Sequence, residues 1–259
     1  LLPAHQQLLS VPLHLEVYTR IVASSPDTRP GESYRTLQDL YEALWQRQIV
    51  MTPQETPRPA ERIAAVYQLV DAMQRQRQLT AAIGILDAYP EAAVYLERIG
   101  FIRREGGGWL FAHQTLFDYC YARRFIAQGR SLTAEMLASS QGLFERSQMV
   151  QVLAYLRGTD EEQYWRELHS LLFNDGLRVH LRLLLLGWFG SLYMPTNNEF
   201  RTAQRLLQND QDRLLFLQAA AGNGSWFDRL QERVLPTILA GKDEPFIEAV
   251  VYYLSTLIE

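Results

Sequence analysis

His113, Cys120, His169, His180 and Lys242 are among the side chains of this chain whose types could carry chemistry. Lys242 is the single lysine among 25 basic residues and stands in AGKDE. A phosphate loop needs GxxxxGK followed by Ser or Thr, so that amides cradle the phosphates and the hydroxyl holds magnesium. Lys242 has neither the leading glycine spacing nor the hydroxyl, and no acidic run after an apolar strand supplies a second magnesium-holding group. These 259 residues by themselves are therefore expected to be no enzyme and not to hydrolyse ATP. His169 and His180 fall on predicted helices with no Glu or His at a spacing that suits zinc. GNGSWFDRL, 222–230, has the glycines of a phosphate loop but no lysine after them, and reads as a turn with Ser225 capping a helix. Cys120 lies among Phe117, Tyr119 and Tyr121 and reads as a small buried hydrophobe rather than a nucleophile. His113 is different. It sits at the seam between the apolar run Trp109 to Ala112 and a helix rich in aromatic residues. Either it caps or bonds locally, or it reaches a group outside this sequence.

The elements that would position His113 are legible from periodicity. PEAAVYLERIG, 90–100, starts on a proline and ends on a glycine suited to the left-handed conformation, as a short helix does. FIRR and WLFA flank Glu105 to Gly108 and predict a β-hairpin over 101–112 with a flexible glycine turn. Upstream, the spacing predicts a short helix, a break near Ser10–Val11 and a helix from Pro12. SSPDTRPGES, 24–33, is a loop by composition, and Leu37, Leu40, Tyr41, Leu44, Trp45 and Ile49 then share one helical face. Thr52 to Pro59 carries three prolines and reads as a linker. A helix over 60–78 turns Ile63, Val66, Tyr67, Val70 and Met73 to a core and ends in the solvated stretch MQRQRQ. Helix, hairpin, helix is the layout of a winged-helix domain.

After Arg130 the pattern is helix after helix, with predicted spans 132–139, 143–157, 160–173, 177–193, 197–207, 211–221, 225–240 and 244–258. Asp160 and Asp210 stand where helix N-caps are needed. In WRELHSLL, Trp165 and Leu168 are expected in the core. The fold class expected is mainly α: a winged-helix domain with a small β-hairpin, then an irregular α-solenoid of HEAT or armadillo type. Three segments are expected, 1–52, 53–130 and 131–259.

Composition narrows the function classes. A formal net charge of −4 and arginines spread evenly along the chain argue against a dedicated nucleic-acid surface. Arg103, Arg104, Arg123 and Arg124 could still touch phosphates, which keeps winged-helix DNA binding as a minor reading. The most apolar run, 181–194, contains Arg182 and is too short to span a bilayer, so no membrane partner is expected. One cysteine permits no intrachain disulfide and fits a reducing, cytoplasmic compartment. Both ends of the chain are apolar and periodic, and are expected to be cut from a longer protein.

The stretch GFIRREGGGWLFAHQTLFDYCYARRF, 100–125, resembles the end of the winged-helix domain of NACHT-type STAND ATPases, signal-transduction NTPases with numerous domains. The matching residues are Phe111, His113, Thr115, Phe117 (displaced by one), Tyr119 and Ala122. Leu116, Phe117 and Asp118 depart from the family's usual Phe, Gln and Glu. LLSVPLHLEVYTRIV, 8–22, is similar to the helical segment that follows the nucleotide-binding core in that family, and LQDLYEALWQRQI, 37–49, to the helix after it. The resemblance covers 1–128 and extends to 129–259 by analogy, as a helical sensor array.

It implies that His113 contacts the β-phosphate of ADP and that Pro12 borders the adenine, in a parent protein that also binds ATP with magnesium. For these residues alone no cofactor is expected. The implied partners are an upstream nucleotide-binding domain of the same chain, a sensed ligand, expected to be a protein, on the array, and copies of itself in an oligomer. The implied function is coupling of nucleotide state, ADP-closed or ATP-open, to ligand sensing and oligomerisation in defence or signalling. A non-enzymatic α-solenoid scaffold is the alternative.

Overall fold

The computed structural model of the chain describes residues 8–23, 34, 36–51, 57–232, 234–241 and 244–256. The loop expected at 24–33, positions 52–56 of the expected linker, and Lys242 lie outside the described residues. The chain is mainly helical with one small antiparallel sheet, and it divides into two compact units, Leu1–Arg130 and Ser131–Glu259. The first unit takes in the 1–52 and 53–130 segments together. Among the described residues no helix is long and apolar enough to cross a membrane.

In the first unit, α1 (Pro12–Ala23) follows a break at Ser10–Val11 and buries Val17 and Ile21. α2 (Leu37–Trp45) opens on a capping box. The Thr36 hydroxyl accepts from the Asp39 amide at 3.1 Å, and the Asp39 carboxylate accepts from the Thr36 amide at 2.9 Å. It buries Leu40, Tyr41, Leu44 and Trp45 and then widens into a π-helical turn, Gln46–Val50. Regular periodicity predicted no such turn. Its cause lies elsewhere in the chain: the Gln48 carbonyl accepts from Tyr95 Oη at 2.7 Å and from Arg62 Nη1 at 3.3 Å. A wider turn frees a carbonyl from the regular ladder for such donors.

Arg62 belongs to α3 (Pro59–Gln76) and is wholly buried, a position no sequence pattern marked. Val66, Val70 and Met73 of that helix are buried as expected, but Ile63 and Tyr67 are only half-buried. The buried stripe runs instead through Ala65, Val66, Leu69, Val70, Ala72 and Met73. α4 (Pro90–Arg98) ends before Gly100, whose φ is +67°. The expected hairpin is β2 (Ile102–Glu105) and β3 (Gly108–Phe111), with Gly106 and Gly107 at φ +60° and +80° in the turn.

A further strand, β1 (Ala81–Ala82), pairs with β3 and gives a three-stranded sheet in the order β1-β3-β2. That strand explains the third glycine of the hairpin. A Cβ on Gly108 would stand 2.8 Å from the Ala81 carbonyl oxygen. α5 (Gln114–Ala127) packs on α2, α3 and β3, and every residue from Leu116 to Ala122 is buried. A stretch covered on all sides has no polar face to show.

The second unit contains α6 (Leu132–Ala138), α7 (Leu143–Thr159), α8 (Glu161–Leu172), α9 (Val179–Gly190), α10 (Asn197–Leu206), α11 (Asp210–Ala219), α12 (Gly224–Leu230), α13 (Leu235–Leu239) and α14 (Glu244–Ser255). Most of these helices pack on the next one or two along the chain. The single helix expected over 225–240 is two helices. Pro236 has no N–H and its ring crowds the carbonyl four residues back, so a continuous helix cannot pass it. Asp160 caps α8, its carboxylate accepting from the Gln163 amide at 2.9 Å. Ser225 is not the cap of α12. Asn223 is, because the helix begins one residue earlier than expected, and its side chain accepts from the Ser225 amide at 3.1 Å.

Buried carboxylates clip these helices together. Glu167 of α8 accepts from the Leu132 and Thr133 amides at 3.0 and 2.8 Å and so caps α6. Asp212 of α11 takes Arg182 of α9 at 2.7 Å. Glu199 of α10 joins Arg157 of α7 to Tyr164 of α8. Leu168 is fully buried, but Trp165 is 37% exposed rather than core. The apolar face of α8 is Tyr164, Leu168, Leu171 and Leu172, and Trp165 stands one position off it.

Candidate functional site

His113 is the N-cap residue of α5, with φ −139° and ψ 148°, and its carbonyl accepts from the Leu116 and Phe117 amides. Its imidazole does not cap the helix. The ring turns the other way, and Nε2 lies 3.2 and 3.3 Å from the two carboxylate oxygens of Glu16, 97 residues earlier. The side chain is 36% exposed and that of Glu16 51%. His113 thus marks the seam where the start of α5 meets the outer side of α1. Pro12, the first residue of α1, is exposed and stands one turn before Glu16 on the same face of that helix. The two residues singled out by the resemblance are brought to one side of the unit, linked through Glu16. Glu16 itself carried no signal in the sequence, since nothing local ties it to position 113.

Several contacts hold the two helices that make this seam. Arg20 of α1 donates to the Ile99 carbonyl at 2.9 Å, and Arg47 donates to the Ile21 carbonyl at 3.0 Å. Two residues after His113, Thr115 of α5 shares a hydroxyl–hydroxyl bond of 2.6 Å with Tyr41 of α2. Further along, Glu42 of α2 accepts from Tyr119 Oη at 2.7 Å and from Arg123 at 2.6 Å, while Arg124 forks Asp71 at 2.9 and 3.2 Å. Arg123 also lies over the Trp45 ring at 4.7 Å. Aromatic contacts run from Trp45 through Phe101, Phe111, Phe117 and Tyr121 to Phe125 beneath the helix.

Next to His113 is a concavity of about 210 Å³ walled by Leu79, Arg103, Phe111 and Gln114 among others. Cys120 is fully buried and burial pushes its thiol well up, so it offers no thiolate. The Thr115 hydroxyl is engaged with Tyr41. Among the described residues no three His, Cys, Asp or Glu side chains are grouped to hold a metal. His180 Nε2 lies 2.9 Å from the Gln141 carbonyl, and His169 meets Arg205. Of the four arginines considered for phosphate contact, Arg123 and Arg124 are paired to Glu42 and Asp71. Arg103 and Arg104 on β2 pair with Glu105 and Glu97, and Arg104 covers Trp109 at 4.5 Å.

Burial raises the Tyr41 phenol to about 12, and it raises Tyr119, Tyr164 and Tyr253 as well. These phenols keep their protons in the folded chain at a pH where the unfolded chain, ionising near about 10, has released them. Their contribution to stability is therefore complete below about pH 10 and is lost as pH rises toward 12. Denaturant midpoints are expected to hold steady up to that point and to fall beyond it together with a rise in tyrosinate absorbance. A midpoint that stays level through pH 11 would contradict this.

Against protein-family models, curated proteins and solved structures, the chain gives no match.

Proposed function

We propose that this chain is the regulatory and sensor part of a STAND-type signalling ATPase, in which α1, the hairpin and α5 couple nucleotide state to a helical array. In this reading residues 53–130 act as a winged-helix lever and 131–259 as a HEAT-like sensor. The observation that carries it is the orientation of His113: a ring at the start of a helix, uncapped, with Nε2 turned to a carboxylate on the helix that begins at Pro12. A helix N-terminus favours anions, and the imidazole N–H that now meets Glu16 can equally donate to a phosphate oxygen. Glu16 then occupies the place of the β-phosphate when no nucleotide is bound, and yields it when ADP arrives. The P-loop, magnesium and adenine pocket belong to a nucleotide-binding domain of the parent protein. ATP hydrolysis is assigned to that domain and none to these residues.

The test uses the full-length parent protein with its nucleotide-binding domain. His113→Ala removes a hydrogen bond to a charged group, worth about 1.5–3 kcal/mol, and should loosen ADP by roughly tenfold or more. Glu16→Gln removes the competing anion and should tighten it. ADP affinity by isothermal titration reads both. Opposite signs for the two variants support the reading. No bound nucleotide in the parent, or equal affinity in all three proteins, refutes it and leaves the scaffold alternative.

A further inference from the structure

On α8, Trp165, His169 and Phe173 follow one another at four-residue spacing, Phe173 being the residue just after the helix. Their rings form a ladder along its outer side, with centroids 5.5 Å apart from Trp165 to His169 and 4.8 Å from His169 to Phe173. Arg205 of α10 closes the ladder. Its guanidinium carbon lies 4.4 Å over the Phe173 ring, and Nη1 is 2.7 Å from His169 Nε2. A guanidinium can only donate, so Nε2 accepts, and His169 is the neutral ring protonated on Nδ1. Burial and the Arg205 charge both hold its pKa below the usual histidine value.

Arg205 is thus fixed without being neutralised. Among the described residues no carboxylate pairs with it or with Arg201, one turn earlier on the exposed side of α10. The acids of α8 and α10 have other partners, Glu162 lying 3.9 Å from Arg166. Glu199 and Glu167 are buried on other partners, and Glu161 accepts from Asn198 at 3.3 Å. With Nη1 committed to His169, the Nε–Nη2 edge of Arg205 is open, which is the edge that takes a carboxylate in a two-bond fork. A guanidinium already immobilised loses little freedom on binding. Trp165, 37% exposed at the other end of the ladder and 5.5 Å from the His169 ring, offers a flat apolar surface on the same side of α8.

We propose that this face of α8 and α10 is a docking site for an acidic peptide segment with an aromatic side chain beside a carboxylate. The carboxylate takes Arg205, a second acid takes Arg201, and the ring packs on Trp165. A nucleic-acid strand fits less well, because it needs a longer run of cations than these two. The site needs no nucleotide, so it stands or falls apart from the ATPase reading.

The 259-residue chain is titrated with a fluorescein-labelled random copolymer of glutamate and tyrosine, read by anisotropy. Polyglutamate, a lysine–tyrosine copolymer and oligothymidylate serve as comparators. The glutamate–tyrosine copolymer is expected to bind at least tenfold tighter than any of them. Arg205→Lys keeps the charge but loses the fork and should weaken it about tenfold, with Arg201→Lys weaker in effect. Trp165→Ala should reduce the copolymer to the level of polyglutamate and leave polyglutamate unchanged. Thermal melts of the variants, all at exposed positions, show that the fold is kept. Copolymer binding untouched by Arg205→Lys and Trp165→Ala, or no binding by the unmutated chain, overturns the proposal, as does tighter binding of oligothymidylate.

Discussion

Glu199→Ala is expected to destabilise the second unit by about 3–5 kcal/mol, the cost of breaking a buried ion pair from one side. Glu199 is fully buried and accepts four hydrogen bonds: from Arg157 Nε at 2.7 Å and Nη2 at 3.1 Å, from Tyr164 Oη at 2.6 Å, and from the Thr196 amide at 2.6 Å. Alanine leaves the Tyr164 hydroxyl buried without that acceptor and the half-buried Arg157 with only the Tyr193 and Met194 carbonyls, and it removes the Glu199 half of the α10 capping box. A whole domain is stable by only about 5–15 kcal/mol, so a loss of this size takes most of the margin. Urea denaturation at neutral pH measures it. Replacing both sides of the pair, as in Arg157→Met with Glu199→Leu, should cost less than Glu199→Ala alone, because no charge is then stranded. A single-variant loss below about 1 kcal/mol would mean that water reaches the cluster and that the three helices are held by their apolar contacts instead.

The second large effect is steric. A Cβ built on Gly190 falls 2.5 Å from the carbonyl carbon of Ala219, 2.6 Å from its oxygen and 2.7 Å from the Ala220 nitrogen. These are backbone atoms and cannot rotate aside. Gly190→Ala must therefore push the end of α9 away from the end of α11, where Phe189 packs on Phe216 and Trp226 at 5.7 and 5.1 Å. Overpacking of this kind costs about 1–3 kcal/mol, and more where backbone is in the way. Gly187, one turn earlier in the same helix, is exposed with nothing within 4 Å of its virtual Cβ. Gly187→Ala is expected to stabilise by roughly 0.5–1 kcal/mol, because alanine loses less backbone freedom in a helix. Calorimetric melts of the two variants should move in opposite directions.

What the sequence revealed and what it hid divide along a physical line. Features set by neighbours in the chain were legible. The hairpin showed in its glycines, α4 in its proline and glycine ends, and the helices after Arg130 in their apolar spacing. Pro236 was legible too, and a helix drawn across it ignored a constraint visible in one letter. Features set by distant partners were not. Two alanines make β1 only because β3 offers them a ladder. Arg62 is buried because carbonyls of Pro57 and Gln48 and the Tyr95 ring meet it. At the candidate site, the strand–helix seam and His113 could be read, but Glu16 lies 97 residues away and could not. The α8 aromatic ladder was hidden by a simpler confusion. Trp165 has the character of a core residue, and only the packing of Tyr164 and Leu168 shows which side of the helix is inside.

The π turn at Gln46–Val50 has a meaning for how this chain can lengthen or shorten. Such a turn accommodates one residue more than the regular helix would, so it behaves as an insertion stored in place. Deleting any one residue within it would let α2 run on as an ordinary helix, and because the wide turn already absorbs the extra residue, the register on either side of the cut would be kept. The Gln48 carbonyl would rejoin the ladder, and Tyr95 and Arg62 would lose an acceptor they share. At this point the length of the chain sets a contact rather than a register: losing one residue removes that shared carbonyl, while a change of side chain leaves it in place.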